Sequence, residues 1–569
     1  MRAETVFRNL ILAFALCLGP QCSGQDQRDS GDANSLLSRI RTLSAAGQWE
    51  EIIRLAPATP EAPADFDYYR GIALARLEHW QEAEAAFESG RTKAPRDIRF
   101  PLELAGVMFK AGKRGEARSF LKQALQLDPA DAYGNDFLAS LYFLNGNLEA
   151  ALKFWNRVDK PQVREVNIEP SLRVDPVLLD RSFAFSPGAP LTLKEYYASR
   201  TSIDSLGIYS SPRFELLPRD DGSFDLGFRA LERNGGGDSW LDGLVSLLRG
   251  APYRTVHPEF FNIRGAAWNL ISLGRWDAQK RRLFTEVSGP VGGSPGLRFQ
   301  ARLDARRENW DVAASLRNPA FAESSFTMST LETGAAVQTF LGSRTSMRNG
   351  VIVSDRRFNT TPPGSAAWQA LFRKGITLEY EIGLRQSRSA PEHRFELSWS
   401  TESRIGKILS ASDGAFLRIT GTLEWHLLPQ ASGKDYQLSG RLGAGTTAGH
   451  APFEEMFSLG MERDNDLYLR GHSGTRDGRK GAGPLGRRYL LMNWQLDKLI
   501  HQPGFWELSL GPFLDTGKMY DSTTFFGSPW LWDTGLESKL TILGRLTLSV
   551  SYGRDLRGGK GAVFTRILR

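Results

Sequence analysis

The chain has 569 residues, which is too long for one ordinary domain, so two to four domains are expected. Charged residues make up 24% of it and the mean hydropathy is −0.33, which excludes a bundle of transmembrane helices. A membrane β-barrel is not excluded, because only every second residue of a barrel strand faces lipid. The net charge of +7 is a mild excess without a concentrated Lys/Arg tract, so nucleic-acid binding is not indicated.

Residues 1–24 have the pattern of a cleaved export signal. Arginines precede a short apolar run, and small residues precede a predicted cut near Gln25. Cys17 and Cys22 both lie in this segment, so the predicted mature chain has no thiol. Elsewhere the sequence has no apolar stretch of 18 residues. If the mature protein enters a membrane, it must do so as a barrel.

Residues 33–160 are rich in alanine and leucine and repeat with a 34-residue period. Small residues recur at this spacing, and a bulky residue follows each of them. The small residue lets two helices approach closely, and the bulky residue fills the next gap. The residues that carry the pattern are Ala83, Ala117, Ala151, Phe87, Leu121 and Trp155. Period and pairing resemble tetratricopeptide repeats, with three clear copies and a weaker one around Gly47; a plain helical bundle is the alternative. The resemblance implies a concave surface for a protein or peptide, or a spacer.

The segment 161–234 predicts a small α+β domain with the element order β-α-α-β-β. Alternating apolar residues on both sides of Asp221-Gly222 predict that it ends in a hairpin. The order of elements, with turn glycines at Gly188 and Gly207, resembles a POTRA domain, the periplasmic module that precedes outer-membrane assembly barrels. In that family an edge strand can pair with an incoming polypeptide by β-addition. A generic α+β linker domain is the alternative.

After a Gly-rich predicted linker at 234–250, residues 250–569 alternate between apolar and polar types over long segments, such as 417–427. These segments exceed the five or six residues of a typical soluble strand, and charged residues occupy their second face. In water that face would be the solvated side of a sandwich, whereas in a membrane it would line a wet lumen. The export signal and the strand lengths favour an antiparallel transmembrane β-barrel of approximately 16 strands.

Two motifs in this part carry a second resemblance: PFEEMFSLGMERDNDLYLRGHSG from residue 452, and GPFLDTGKMY from residue 511. They resemble the bacterial surface antigen superfamily, which includes outer-membrane barrel assembly proteins and two-partner secretion transporters. Arg470 and Gly471 match its loop that folds back into the barrel, and Asp515 and Gly517 match its F-x-D-x-G strand. The resemblance implies that Arg470 contacts Asp515 and tethers the loop without performing chemistry. A surface hairpin is the alternative.

The sequence departs from the superfamily pattern in several places. His472 replaces an aromatic residue, Asp497 replaces a common glutamate, and the chain ends in Arg569 in place of the terminal aromatic residue that aids recognition by the assembly machinery. A single POTRA-like module behind tetratricopeptide repeats also differs from the usual series of POTRA domains. This last difference weakens any claim that the protein is the general, essential barrel assembler.

Enzyme motifs are incomplete throughout the sequence. The segment 471–475 approaches the G-x-S-x-G nucleophile elbow, but Thr475 replaces the last glycine. The seven histidines are scattered without the close spacing of a zinc site, and no phosphate-binding P-loop is present. The sequence predicts neither an enzyme nor a cofactor or metal.

The favoured function is polypeptide insertion into, or translocation across, the outer membrane of a Gram-negative-type bacterium. The N-terminal domains would lie in the periplasm and dock a client or partner protein, and the barrel would contact outer-membrane lipid. One alternative is a structural or adhesive outer-membrane protein whose repeats bind a periplasmic partner and whose barrel transports nothing. Another is a soluble periplasmic scaffold that ends in a β-sandwich.

Overall fold

The computed structural model describes most of the chain as two compact units. The described residues are 30–210, 212–233, 250, 254–312, 325–360, 369–411, 413–430, 435–501, 505–520, 529–542 and 546–568. The predicted export signal and residues 234–249 of the predicted linker lie outside them. One compact unit holds the N-terminal helices with 187–193 and 215–226, and the other holds the remaining segments through to the C-terminal strands.

The described residues of the first unit form eight helices arranged as four consecutive pairs, so the predicted helical repeat region is confirmed. They are α1 (Ser30–Ala45), α2 (Trp49–Leu55), α3 (Ala64–Arg76), α4 (Trp80–Lys93), α5 (Arg99–Lys110), α6 (Arg114–Leu127), α7 (Ala132–Leu144) and α8 (Leu148–Trp155). The turns within the pairs use left-handed backbone, with φ of +78° at Gly112 and +65° at Gly146. Glycine adopts this conformation without steric penalty, which explains its recurrence at the 34-residue spacing.

The helices pack through the small-to-large pairing that the repeat pattern predicts. The alanines Ala83, Ala117 and Ala151 and the bulky residues Phe87, Leu121 and Trp155 are all at most 2% exposed. Glycine allows an even closer approach in α3, where a Cβ atom on Gly71 would lie 2.5 Å from the Phe87 ring. The array is therefore stabilised mainly by buried apolar contacts between consecutive helices.

The next segment folds in the predicted β-α-α-β-β order. Its elements are β1 (Val163–Glu169), α9 (Pro176–Ser182), α10 (Leu193–Leu206), β2 (Arg213–Pro218) and β3 (Phe224–Arg229). The strands form one sheet in the order β1-β3-β2, and the turn glycines Gly188 and Gly207 have φ of +89° and +67°. The boundary between the two compact units passes through this segment, which is therefore not set apart as a unit of its own.

The second unit contains a closed barrel in which almost all neighbouring strands are antiparallel and consecutive in sequence. Its long strands are β6 (Trp268–Trp276), β7 (Lys280–Val291), β8 (Ser294–Asp311), β9 (Ser325–Leu341), β10 (Thr345–Phe358), β11 (Gly375–Ala390), β12 (Phe395–Ile408), β13 (Ala415–Leu427), β14 (Tyr436–Gly449), β19 (Arg488–His501), β20 (Trp506–Tyr520), β21 (Leu531–Ile542), β22 (Leu546–Asp555) and β23 (Gly561–Leu568). The short strands are β4 (Thr255–Val256), β5 (Glu259–Ile263), β15 (Phe457–Ser458), β16 (Thr475–Arg476), β17 (Arg479–Lys480) and β18 (Leu485–Gly486). In the described part, the closed sheet has 18 strand segments where the sequence predicted about 16 strands, and β4, β16 and β17 contribute only two residues each.

The barrel has its polar residues inside and its apolar residues outside. Leu283 and Leu331 are 56% and 49% exposed on the outer face, whereas the inward carboxylates of Asp304 and Glu381 are each 2% exposed. A water-soluble β-sandwich would have the opposite distribution, because its core is apolar.

No helix within the described residues combines the length and the apolar character needed to cross a membrane.

The helical repeats offer a matched pair of glycine substitutions. Gly71→Ala should destabilise the helical unit by about 1–3 kcal/mol, because the new methyl group overlaps the Phe87 ring. Gly106→Ala should stabilise it by about 0.5–1 kcal/mol, because Gly106 lies inside α5 and a Cβ atom added there would have no other group within 4 Å. Thermal unfolding of the full chain, followed by circular dichroism at a helix-sensitive wavelength, measures both effects. Equal melting temperatures for the two variants would contradict this account of the packing.

Candidate functional site: a loop inside the barrel

Residues 450–487 connect β14 to β19 and form a loop with its own internal structure. Strand β15 pairs with β18, and Met461 forms a bridge with Ser473. The side-chain amide of Asn465 donates hydrogen bonds of 2.9 Å to the carbonyl groups of Ser458 and Gly460. These bonds satisfy buried backbone acceptors, so the loop holds a defined conformation.

The structure brings Arg470 and Asp515 together. Arg470 donates from Nη2 to Asp515 Oδ1 over 2.7 Å and from Nε to Oδ2 over 2.9 Å, which is a bidentate ion pair. Its Nη1 group also donates to Gln495 and Glu537, and the guanidinium carbon lies 3.6 Å from the centre of the Phe513 ring. The side chains of Arg470 and Asp515 are 7% and 0% exposed, so the surface-hairpin alternative is wrong.

The polar residues that face Arg470 and Gly471 are aligned by the register of the strands. Asn493, Asp515 and Asp533 occupy paired positions on β19, β20 and β21, so their side chains share the inward face. Asn493 donates to Asp515 Oδ1 over 2.8 Å and fixes the orientation of that carboxylate. The two-residue period of the strands therefore produces a polar row that faces the loop.

Glycines allow the loop backbone to lie against this wall. A Cβ atom on Gly517 would lie 3.2 Å from the Leu469 side chain, and one on Gly471 would lie 2.5 Å from the backbone nitrogen of Asp555. The backbone nitrogen of Gly471 donates to the Asp533 carboxylate over 2.6 Å. Glycine occupies both positions because a side chain there would crowd the close approach of the loop to the wall.

His472 lies between two carboxylates. Its Nδ1 atom is 3.0 Å from Asp533, and its Nε2 atom is 3.7 Å from Asp555. The three side chains are close enough together to hold a metal ion, but each ring nitrogen faces a different carboxylate, whereas a metal ion takes only one of them. The geometry is therefore that of an imidazolium bridging two aspartates.

Burial by itself lowers the pKa of His472, but the hydrogen bond to Asp533 and the charges of Asp533 and Asp555 outweigh it, so the pKa is raised above its ordinary value.

A second part of the barrel wall holds the loop through charges that the sequence reasoning missed. Glu462 pairs with Lys280, while Asp464 lies 2.5 Å from Arg275 and 2.9 Å from Arg282. Lys480, from the same loop, donates to Glu308 of β8 over 2.8 Å. The signal that could have revealed these contacts is the acid-rich run MERDND beside inward basic positions of β6 and β7.

A third part of the wall contacts the start of the loop. Glu454 pairs with Arg356 of β10, and Glu455 lies 3.5 Å from Arg418 of β13. Phe453 is 1% exposed and packs in an aromatic cluster with Trp310 and other rings. The loop is thus attached to strands around the barrel, so it crosses the lumen.

Other sequence-predicted residues have local structural roles. Gly207 ends α10, where Arg298 donates to the carbonyl of Ser205 over 2.6 Å and Asn269 donates to that of Leu206 over 2.9 Å. These donors satisfy the free carbonyl groups at a helix C-terminus. Ser473, the central residue of the incomplete nucleophile elbow, donates to the carbonyl of Thr475.

Comparisons with known proteins follow the same division of the chain. Residues 74–141, within the helical region, match the family model described as tetratricopeptide repeat. No curated protein matches the chain.

Solved structures similar to the chain include two CdiB proteins and one BamA protein. CdiB from Escherichia coli has 13% identity and a TM-score of 0.49, with 72% of this chain and 76% of that chain covered. CdiB from Acinetobacter baumannii has 13% identity and a TM-score of 0.44, with 72% and 73% covered. BamA from Haemophilus ducreyi lacking POTRA domains 1–3 has 12% identity and a TM-score of 0.41, with 72% and 85% covered.

Removal of the Arg470 guanidinium should release the loop. Arg470→Ala leaves Asp515 buried without its bidentate partner, which should destabilise the docked loop by about 3–5 kcal/mol. Limited proteolysis of the folded protein should then cut within 461–486, where the wild type resists. Arg476→Ala is the matched control, because Arg476 is an exposed arginine of the same loop. Equal cleavage of both variants would contradict the tether.

The attachment of His472 should depend on pH. Because its folded-state pKa is raised, its stabilising contribution is complete below its ordinary pKa and is lost as the pH rises through the raised value. Proteolysis of the loop should therefore accelerate as the pH rises above the ordinary pKa of histidine, after correction for the protease's own pH profile. His472→Phe should lose this dependence; the same profile in that variant would assign the titration to another group.

Proposed function

We propose that this protein is an outer-membrane β-barrel that inserts polypeptides into the outer membrane or passes them across it, with the loop 450–487 as the closure of its resting lumen. The observation that carries the proposal is a barrel with apolar residues outside and polar residues inside, whose lumen is crossed by a loop that ion pairs hold to the wall. The N-terminal repeats and the small sheet would lie in the periplasm and receive the client. We infer no catalysis, cofactor or energy source for this process.

The outer surface of the barrel supports membrane insertion. Trp268 and Trp276 both face outward from β6, at 45% and 54% exposure, and are eight residues apart. At about 3.4 Å per residue they are separated by about 27 Å along the strand, which suits the apolar band of a membrane barrel with an aromatic residue at each interface. Exposed leucines and valines occupy the neighbouring strands within this band.

The chemistry of the loop contacts supports a closure that can open. The contacts of Arg470, Glu462, Asp464 and Lys480 with the wall are ion pairs, and water can solvate both partners of each pair when the loop leaves. Apolar packing of Leu469 against Tyr489 and Leu491 adds to the closed state. Release would thus require many contacts to break together, which a bound client could drive through its own contacts with the wall.

The small sheet supports client capture by β-addition, in the manner of the POTRA domains that the segment 161–234 resembles. Strand β2 lies at an edge of the sheet, and Leu217 on this strand is 41% exposed. An edge strand presents backbone donors and acceptors that an extended polypeptide can pair with. The tetratricopeptide repeats would supply a second surface for the client or for a periplasmic partner.

The extent of the loop anchoring also favours a second candidate function. A barrel that is held closed from several sides could be a structural or adhesive outer-membrane protein that transports nothing, with its repeats bound to a periplasmic partner. The two candidates differ in whether any polypeptide depends on the protein for its arrival at the cell surface.

Membrane fractionation tests the proposal first, and a release assay tests it second. The wild type should stay in outer membranes after carbonate washing and should run faster on a gel unheated than boiled, because a closed barrel resists detergent at room temperature. Cells without the protein should then lose at least one polypeptide from the outer membrane or the medium, and the wild-type gene should restore it.

A protein that carbonate extracts and heat does not shift would refute the membrane barrel. An embedded barrel whose removal leaves the surface and secreted polypeptides unchanged would refute transport and support the structural candidate.

A further inference from the structure

Three arginines on the outer face of the barrel lie in one row across neighbouring strands. Arg281 of β7 is paired in register with Arg307 of β8, and Ser329 of β9 connects Arg307 to Arg357 of β10. We call Arg281, Arg307 and Arg357 the arginine row. At about 4.8 Å between strands, its ends are about 14 Å apart.

The arginine row faces away from the lumen. Arg281 and Arg307 are exposed, whereas the adjacent residues Arg282 and Arg306 point inward, where both contact Asp304. Trp276 shares the outward face and is paired in register with Arg281. Side chains alternate along a strand, so the next outward positions toward the middle of the barrel are Leu283, Ala305 and Leu331 on β7 to β9 and the carboxylate of Asp355 on β10.

The row creates a repulsion that the described protein does not relieve. Like charges at directly opposed positions of two strands are destabilising, and Arg281 and Arg307 are opposed in this way. Neither has an ion pair with any residue in the part of the chain that the structure describes. Arg357 pairs with Asp355 over 3.0 Å, but its side chain is 79% exposed. An anion between the guanidinium groups would remove the repulsion.

The surroundings of the row specify what kind of anion fits. A cavity of about 590 Å³ lies against it, and its walls also include the exposed side chains of Leu283 and Leu331. An occupant therefore needs anionic groups beside the arginines and apolar groups beside the leucines. An anionic lipid has both, with its headgroup at the interface and its acyl chains along the barrel.

The position of the row along the strands specifies the membrane leaflet. Arg281 is the second residue of β7, whereas the other end of β7 leads to Gly293, whose carbonyl accepts a hydrogen bond from Arg181 of α9. The row is therefore at the opposite end of the barrel from the small helices. If those helices lie in the periplasm, as in the proposed function, the row lies at the level of the outer leaflet.

We propose that the arginine row binds the phosphate groups of an outer-leaflet lipid of the lipid A class, which carries two phosphates on a compact, acylated sugar headgroup. The guanidinium fork binds a phosphate in a bidentate manner, and several such contacts on one surface select a lipid with more than one phosphate. This inference rests on the proposed function, because it requires the barrel to be in the outer membrane. The site would anchor and orient the barrel wall formed by β7 to β10.

Lipid binding by the purified full chain tests the proposal. Native mass spectrometry in a non-ionic detergent should show bisphosphorylated lipid A bound more tightly than its monophosphorylated form, and phosphatidylethanolamine bound weakly. Arg281→Gln with Arg307→Gln should weaken binding of bisphosphorylated lipid A about tenfold for each arginine removed. Inorganic phosphate alone should compete poorly, because it lacks the acyl chains.

Two further variants control for general effects of charge and for folding. Arg388→Gln removes an exposed arginine from β11, near the other end of the barrel, and should leave lipid A binding unchanged. Arg281→Lys with Arg307→Lys retains the charge but loses the forked geometry, so its binding should be intermediate. If the double glutamine variant does not run as a compact barrel on the gel, the double lysine variant takes its place in the binding assay.

The outcomes separate this inference from the proposed function. A wild type that is not an embedded, heat-modifiable barrel refutes the proposed function. An embedded wild type that binds bisphosphorylated lipid A no better than phosphatidylethanolamine refutes the lipid site alone, as does equal binding by the wild type and the glutamine pair.

Discussion

The buried ion pair between Arg470 and Asp515 is the contact on which the closed state of the barrel depends. Two charges removed from water are tolerated only when geometry and additional hydrogen bonds compensate for their lost hydration. Here the compensation comes from both partners, through Gln495 and Glu537 on the arginine and Asn493 on the aspartate. Since these groups lie on β19 and β21, on either side of Asp515 on β20, the pair also depends on the register of the three strands.

The same constraint explains the interior as a whole. A barrel with an apolar band on its outer face places the charged residues at the level of that band inside, where each charge needs an opposite charge or water. The loop supplies several of these partners, among them Glu462 for Lys280 and Lys480 for Glu308. The loop and the wall are therefore electrostatically complementary. In the proposed function, a transported polypeptide would have to compete for the same side chains, and this competition would couple client entry to loop release.

Two other parts of the protein are stabilised in different ways. The helical repeats are held together mainly by close apolar packing between consecutive helices, as between Gly71 and Phe87. The arginine row, by contrast, is a set of charges on the outer face without a described partner for Arg281 and Arg307. Inside the barrel the protein supplies its own counter-charges, and at the rim the membrane would supply them.

The sequence by itself determined the features that follow from local periodicity. The 34-residue period specified the helical pairs and the burial of Ala117 and Leu121, and the two-residue period specified the two faces of the barrel strands. The match of motifs to a known superfamily indicated Arg470 and Asp515. Only the tertiary structure decided the strand count, the aspartates on both sides of His472 and the second attachment through Glu462 and Asp464. Those features depend on which distant strands become neighbours around a closed ring, and a period along one strand carries no information about the residue that will face it across the lumen.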